Sequence, residues 1–192
     1  MPYLIKSVTS EHLVEYCKVP ITFTINSILE AKAPEKGFVG FVFEEKPVEP
    51  FNRDFDEMGS PMSWLEFDLA NWKFYIAYYN GKPIGAATLV MKSKEIHMLE
   101  GKDDLACLWD LRVHPEYRGK GIGSKLFQRA AKDAKENGCV YMKVETQSNN
   151  VLANKFYESQ GCHLALVHLD AYYNDEECRD EAMMVWYLDL KK

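Results

Sequence analysis

The run Arg118-Gly-Lys-Gly-Ile-Gly123 combines three glycines and two cations directly before an amphipathic segment. When a glycine-rich turn opens a helix, several backbone N–H groups stay unpaired at the positive end of the helix dipole, and such a helix end binds anions. Arg118 and Lys120 add positive charge, and the glycines allow the backbone to come close to an anion. The run is therefore predicted to be a phosphate-binding loop.

Two common phosphate-binding motifs do not fit this run. A Walker A loop needs Lys directly after its last Gly and another Gly five residues before it, whereas Gly123 is followed by Ser124 and preceded at that distance by Arg118. A dinucleotide-binding fingerprint needs a further Gly where Ser124 stands. On composition alone, the alternative interpretation of this run is a glycine-rich helix start that binds no ligand.

Strands and helices alternate around this loop. Asn80-Gly81 stands between two apolar runs and favours a β-hairpin, because both residues tolerate positive φ. Apolar residues recur at spacings of three and four after Gly121, and Gly138 provides a stop. The pattern predicts strands at 72–79, 83–91 and 105–113, a helix at 122–137, a strand at 139–146, a helix at 150–160, and strands at 164–169 and 182–190.

Composition limits the class of protein. The 192 residues are 47% hydrophobic, which predicts one domain spanning 1–192. A net charge of -6 argues against a nucleic-acid partner and favours a cationic small molecule. The five cysteines form no C-x-x-C pair, so neither a disulfide framework nor a metal site is expected. Because no long apolar segment occurs, we expect a cytoplasmic location without membrane partners.

Two motifs resemble a known family. Arg118-x-x-Gly121-x-Gly123, preceded by Val113-His-Pro-Glu-Tyr117, resembles motif A of the GNAT acetyltransferases, and the run from Asn150 to Tyr157 followed by Gly161 resembles motif B. The run Glu145-Thr-Gln-Ser-Asn-Asn-Val151 and the ending 181–187 are similar to the streptothricin acetyltransferases of this family. The resemblance covers about residues 72–190. After the motif-B helix, most relatives have Gly-Phe, whereas this chain has Gly161-Cys162.

The resemblance implies an α/β GNAT fold: a mixed, mostly antiparallel twisted sheet with helices on both faces, opened in a V between its central strands. It also implies acetyl-CoA as co-substrate and no metal. The glycine-rich loop is expected to hold the pyrophosphate, and the backbone amides of 111–113 to polarise the thioester oxygen. The expected acetyl-CoA contacts are Leu111, Arg112, Val113, Arg118, Gly119, Lys120, Gly121, Ile122, Gly123, Ser124, Asn150, Ala153 and Tyr157.

Acetyl transfer to an amine needs a base for the amine and an acid for the departing thiolate. Glu145 is the candidate base, since ribosomal-protein alanine acetyltransferases resemble this chain around this residue and carry a Glu at the equivalent position. The alternative role of Glu145 is to order the end of the strand or to bind substrate. Tyr157 occupies the tyrosine position of motif B and is the candidate acid. The alternative is that Tyr157 is an aromatic residue of the core. Asn150 can also cap the following helix.

Two other residues near the loop are weaker candidates for the base. Asp110 is the second choice, because strand alternation directs it away from the face of Cys107, although a bulge would reverse this. His114 stands next to the glycine-rich loop and is interpreted as a loop-packing or solvent-facing group.

Two acidic segments bear on the acceptor. Residues 44–68 carry eight acids against two cations, and residues 170–181 carry six acids against one. Charge runs are often simply solvated, yet these favour a cationic acceptor, with streptothricin and hence antibiotic resistance as the candidate. A protein N-terminus, as for the ribosomal-protein enzymes, a polyamine acceptor, and a non-enzymatic CoA-binding sensor remain alternatives. Four aromatic residues could stack on the acceptor or pack internally: Tyr172, Tyr173, Trp64 and Phe67. Homodimer formation is left open.

Overall fold

The computed structural model describes residues 2–57 and 59–191, and the chain divides into two compact units. The first unit comprises residues 1–23, 54–143 and 189–192, and the second comprises 24–53 and 144–188. The elements are strands β1 Leu4–Val8, β2 Thr22–Lys32, β3 Val42–Asp54, β4 Trp72–Tyr79, β5 Lys82–Met91, β6 Leu105–Val113, β7 Tyr141–Gln147, β8 His163–His168 and β9 Met183–Asp189, and helices α1 Leu13–Tyr16, α2 Ile122–Glu136 and α3 Val151–Ser159.

The sheet of the first unit runs β1-β4-β5-β6 and then the beginning of β7. All neighbours are antiparallel except β6 and β7, which pair in parallel over only three residues, Leu105–Cys107 with Tyr141–Lys143. Strand β6 then continues to Val113 without a further parallel partner in this unit. The predicted mixed, mostly antiparallel sheet is confirmed.

The predicted hairpin joins β4 and β5. Asn80 and Gly81 have φ of 48° and 75°, so both occupy the left-handed region that a tight two-residue turn requires. Their neighbours Tyr79 and Lys82 are paired across the turn. The turn between β4 and β5 therefore follows the turn chemistry of the sequence.

A β-bulge in β6 changes which side chains face which way. Thr88 pairs with Asp110, but the next residue, Leu89, pairs with Leu108, so Trp109 is an extra residue. Simple alternation from Cys107 therefore gives the wrong face for Asp110, which lies on the same face as Cys107. The sequence places Asp110 opposite the face of Cys107, Trp109, Leu111 and Val113 unless a bulge intervenes. The bulge brings Asp110 to the face of Cys107 and leaves it opposite Leu111 and Val113.

Helices cover both faces of β5 in the first unit. Gly85 faces α2, and a Cβ there would lie 2.9 Å from Ile122 and 3.1 Å from Leu126, so only Gly allows this close approach of α2. On the opposite face, the hydroxyl of Thr88 donates to the phenol of Tyr16 in α1 at 3.0 Å. The close packing of α2 on the sheet fixes the position of the glycine-rich loop that precedes it.

The second unit contains the end of β7, the antiparallel pair β8 and β9, helix α3, and a separate two-stranded sheet of β2 and β3. Helix α3 ends at Gly161, whose φ is 86°, and the amide of the following Cys162 donates to Tyr157 O at 3.1 Å. The Gly161-Cys162 sequence thus closes the helix, and Cys162 is buried. The sheet of β2 and β3 was not predicted from the sequence.

The five cysteines are all free thiols. No helix within the described ranges 2–57 and 59–191 is long and apolar enough to cross a membrane.

Candidate active site

The glycine-rich loop has the backbone geometry of an anion site. Gly119 and Gly121 have φ of 71° and 76°, in the left-handed region where an L side chain would be strained. The first backbone bond of α2 runs from Lys125 N to Gly121 O at 3.1 Å, so the amides from Gly121 to Ser124 lie ahead of the hydrogen-bonded helix. Four amides at a positive helix end fit a pyrophosphate.

The two cations of this loop also hold it together. Arg118 donates from Nε to Val113 O at 3.0 Å and from its terminal nitrogen to Thr22 O. Partial burial lowers the pKa of Arg118 below its usual value. Lys120 Nζ lies 2.8 Å from Glu116 O. Arg118 therefore fastens the loop to the end of β6 in addition to supplying charge.

His114 packs within the loop, as its sequence position indicated. Its Nδ1 accepts from the amide of Glu116 at 3.4 Å, and its ring lies edge-on to Tyr117 with centroids 5.6 Å apart. These contacts confirm the packing interpretation.

Asp110 and Arg112 form a buried charged network on β6. The phenol of Tyr16 donates to Asp110 at 2.6 Å, and Arg112 donates to the same carboxylate at 2.6 Å and 2.9 Å. Arg112 also reaches Asp56 at 2.9 Å. Burial, and next the Asp110 charge, raise the pKa of Tyr16 well above its usual value. Both oxygens of Asp110 are engaged, which argues against its role as a proton acceptor, and the Arg112 side chain is fully used inside the protein.

Glu145 lies in β7, where its carboxylate accepts a hydrogen bond from the phenol of Tyr172 at 2.8 Å. The same phenol accepts from Gln147 Nε2 at 3.3 Å. Burial first, and then the charge of Glu145, raise the pKa of Tyr172 above its usual value. The sequence suggested stacking or packing for Tyr172, and nothing in its spacing indicated this bond to the candidate base.

Trp64 and Phe67 belong to an aromatic cluster of the first unit. The ring centroids of Trp64 and Phe67 lie 6.0 Å and 5.7 Å from that of Trp72, and Trp64 is buried. Trp64 and Phe67 therefore pack inside the protein, which is the second of the two roles that the sequence suggested for them.

Glu181 closes the other end of the loop that contains Tyr172. Its carboxylate accepts from Asn149 Nδ2 at 2.6 Å and forms an ion pair with Arg53. Burial raises the pKa of Glu181 to about 7, although the Arg53 guanidinium acts in the opposite direction. Arg53 also donates to the thiol of Cys178 at 3.3 Å.

Tyr157 lies on α3 and is buried, with 7% of its surface exposed. Asn150 caps this helix through a bond from Ala153 N to its Oδ1 of 3.1 Å, so the Ala153 amide is already engaged. Asn154 connects α3 to its neighbours, because its Nδ2 donates to Gln147 O at 2.9 Å and its Oδ1 accepts from Trp186 at 2.8 Å. Asn154 thus holds the helix of Tyr157 against the strand of Glu145, a role that no sequence signal indicated.

The acidic segment 44–68 is not a free acidic loop. Residues 44–53 lie in β3, where Glu44 pairs with Lys32 and Glu45 lies 2.6 Å from Lys155 Nζ. Glu44 and Glu45 therefore have cationic partners inside the protein, and the attraction of a cationic acceptor by this segment stays a prediction. Both acidic segments expose carboxylates: Glu49, Glu57, Glu66 and Asp68 in the first, and Asp170, Glu176, Glu177 and Asp180 in the loop 170–181.

Comparisons with known proteins agree with this geometry. The family model "Acetyltransferase (GNAT) family" matches residues 34–162, two thirds of the chain. The chain therefore belongs to the GNAT family and is an acetyl-CoA-dependent N-acetyltransferase. It is 24% identical to a streptothricin acetyltransferase of Escherichia coli over 94% of this chain and 93% of that protein.

Two further relatives bear on the acceptor. A candidate streptothricin acetyltransferase from Bacillus anthracis, solved in complex with acetyl coenzyme A, has a TM-score of 0.77 and 25% identity over 98% of both chains. The ribosomal protein bS18 alanine N-acetyltransferase of Escherichia coli K12 is 27% identical over 82 residues, which are 43% of this chain and 55% of that protein. Within the described residues of this chain, no cluster of His, Cys, Asp and Glu side chains has an arrangement for a metal.

Proposed function

We propose that this enzyme transfers the acetyl group of acetyl-CoA to an amine of a cationic small molecule, with streptothricin as the candidate acceptor. The observation that carries the proposal is the bond between Tyr172 and Glu145, which joins the acidic loop 170–181 to the candidate base. A cation attracted by the loop arrives next to the carboxylate that must take its proton.

In the proposed reaction, the ammonium form of the acceptor gives a proton to Glu145, directly or through water. The neutral nitrogen attacks the thioester carbon of acetyl-CoA, the C–S bond breaks, and the thiolate takes a proton from Tyr157. The new amide nitrogen loses its remaining extra proton through water to the Tyr157 phenolate, and Glu145 releases its proton to solvent. The products are the N-acetylated amine and CoA.

The proposed acetyl-CoA contacts lie in the glycine-rich loop and in β6. The amides of Gly121 to Ser124 hold the pyrophosphate, aided by the charge of Lys120. The β6 amides from Leu111 to Val113 polarise the thioester oxygen, since β6 continues past its last parallel pair with β7 at Cys107. Arg112 acts here through its backbone only.

Support for a streptothricin-like acceptor comes from the full-length likeness to the Escherichia coli and Bacillus anthracis proteins. The partial match to the bS18 enzyme favours a second candidate, a basic protein N-terminus, which the same acidic loop would attract. A polyamine suits the loop equally by charge.

The test is thiol release from acetyl-CoA with streptothricin, spermidine and a ribosomal N-terminal peptide as alternative acceptors. Turnover with streptothricin and not with the peptide supports the proposal. Turnover with the peptide alone replaces it by the protein N-terminal activity, and tight acetyl-CoA binding without any turnover supports a CoA-binding sensor.

A further inference from the structure

The loop between β8 and β9 is compactly folded over the end of β7. Three successive turns carry it from Tyr172 to Glu181: the amides of Asp175, Cys178 and Glu181 each donate to the carbonyl three residues earlier, at 2.8 Å, 3.2 Å and 2.8 Å. At its end, Ala182 N donates to Ser148 Oγ at 3.0 Å. The loop is thus attached to the segment after β7 as well as to β7 itself.

Hydrogen-bond direction around Tyr172 is fixed by chemistry. Gln147 Nε2 can only donate, so the phenol oxygen accepts from it, and the single phenol proton points to Glu145. The bond from Tyr172 fixes one oxygen of Glu145, and the bond from Gln147 fixes the direction of the phenol. Tyr172 and Gln147 therefore orient the Glu145 carboxylate.

Only one oxygen of Glu145 is engaged in this way. The phenol binds Oε1, and within the second unit, whose residues 24–53 and 144–188 are all described, no hydrogen bond reaches Oε2. The bond to Oε1 restricts rotation of the carboxylate and leaves Oε2 as the oxygen that can receive a proton. Oε1 thus fixes the orientation of the carboxylate, and Oε2 is the oxygen that reacts.

We infer that Tyr172 is a positioning residue for Glu145, orienting its carboxylate through Oε1 so that Oε2 accepts the proton of the acceptor amine. This inference rests on the proposed role of Glu145 as the base. Tyr172 itself transfers no proton and touches neither reacting atom. Because it belongs to the acidic loop, it also couples the position of that loop to the orientation of the base.

The test is a double-mutant cycle of Tyr172→Phe and Glu145→Gln, measured as kcat/KM for thiol release from acetyl-CoA with streptothricin, and with spermidine in parallel. Phe keeps the ring and removes the donor. We expect Tyr172→Phe to lower kcat/KM about tenfold, the scale of one hydrogen bond to a charged group, and to have no further effect when Glu145 is already Gln. The loss should appear in kcat, with the acetyl-CoA Kd unchanged, because only the orientation of the carboxylate is altered.

Tyr173→Phe is the matched control, since Tyr173 is its neighbour in the same loop, is 70% exposed, and loses the same hydroxyl. Phe keeps the ring that could stack on the acceptor, so the activity of this variant should equal that of the wild type. Gln147→Met, which removes the donor to the phenol and leaves Tyr172 in place, should lower kcat/KM in the same direction by less. The acetyl-CoA Kd and the urea midpoint of each variant show whether it is folded.

The outcomes separate the two proposals. If Glu145→Gln is slow and Tyr172→Phe lowers kcat/KM equally in both backgrounds, the positioning role is wrong and the base role stands. If Glu145→Gln is as fast as the wild type, the base role fails, and the positioning role with it. A kcat equal to that of the wild type in a folded Tyr172→Phe variant also overturns the inference.

Discussion

Arg112 and Asp110, two residues apart on β6, form a two-bond ion pair: Nε lies 2.9 Å from one carboxylate oxygen and the terminal nitrogen 2.6 Å from the other. Their side chains are only 2% and 7% exposed. The bulge at Trp109 directs both to the face of β6 that carries Tyr16. The pair stiffens the strand whose amides are proposed to polarise the thioester oxygen.

Asp110→Asn should lower the stability of the protein but leave its acetyl-transfer activity in place. Loss of one partner leaves Arg112 buried without its full counter-charge, which typically costs about 3–5 kcal/mol of unfolding free energy. Urea unfolding measures this cost, and kcat per folded molecule should stay within a few-fold of the wild type. The exposed pair Lys132 and Glu136 on α2 is the matched control, and Glu136→Gln should leave stability nearly unchanged. A stable Asp110→Asn protein with no turnover would make Asp110 the base instead.

Arg118→Ala should weaken acetyl-CoA binding more than any other single change in the glycine-rich loop. We expect its Kd to rise tenfold or more, about 1.4 kcal/mol, because both the charge and the bonds to Val113 O and Thr22 O are lost. Calorimetric titration with acetyl-CoA measures the Kd. Arg118→Lys should bind nearly as weakly, since an ammonium cannot span two carbonyls as the guanidinium fork does. Full rescue by Lys would mean that Arg118 acts by charge alone.

Much of the fold could be predicted where local chemistry decides it. Asn80-Gly81 requires a tight hairpin, Gly138 and Gly161 stop two helices, and the spacing in α2 marks its buried face. The bulge at Trp109 could not be foreseen, because it depends on how β5 and β6 align. Alternation alone therefore placed Asp110 on the wrong face.

The rest of the site depends on contacts between distant segments. Pro47 and Pro50 both lie in β3, which belongs to a two-stranded sheet where a missing donor is tolerated. The bond from Tyr172 to Glu145 joins residues 27 positions apart, and that from Trp186 to Asn154 joins residues 32 apart. No local pattern encodes either, whereas the glycine-rich loop is contiguous and was found directly.

Tyr157→Phe should slow acetyl transfer with little effect on binding. Loss of a general acid typically lowers kcat by about 10²-fold or more, while the buried ring is kept. Steady-state kinetics over a range of pH, together with the acetyl-CoA Kd, measure the two effects. Tyr173→Phe again controls for removal of a hydroxyl. A turnover rate unchanged at every pH would rule out the proton-donor role.

Glu181 should make the protein less stable as pH rises toward neutrality. Burial raises its pKa from 4.5 to about 7 in the folded protein, so between these values the folded state keeps a proton that the unfolded chain has lost. The contribution of Glu181 to the unfolding free energy therefore falls across this window, by about 2–3 kcal/mol in total.

Urea unfolding at several pH values between these limits compares the wild type with Glu181→Gln, which cannot titrate. The difference in unfolding free energy between the two proteins should change steadily across the window and level off above it. Parallel curves would mean that the ion pair with Arg53 keeps Glu181 ionised throughout.

The most direct test of the proposed function is thiol release from acetyl-CoA with streptothricin, spermidine, free lysine and a ribosomal N-terminal peptide as acceptors, comparing the wild type with Glu145→Gln. We predict fast turnover with streptothricin, little with the peptide, and a large loss in the variant. Silence with every acceptor despite tight acetyl-CoA binding, or turnover with the peptide alone, would contradict the assignment of a cationic small-molecule acceptor.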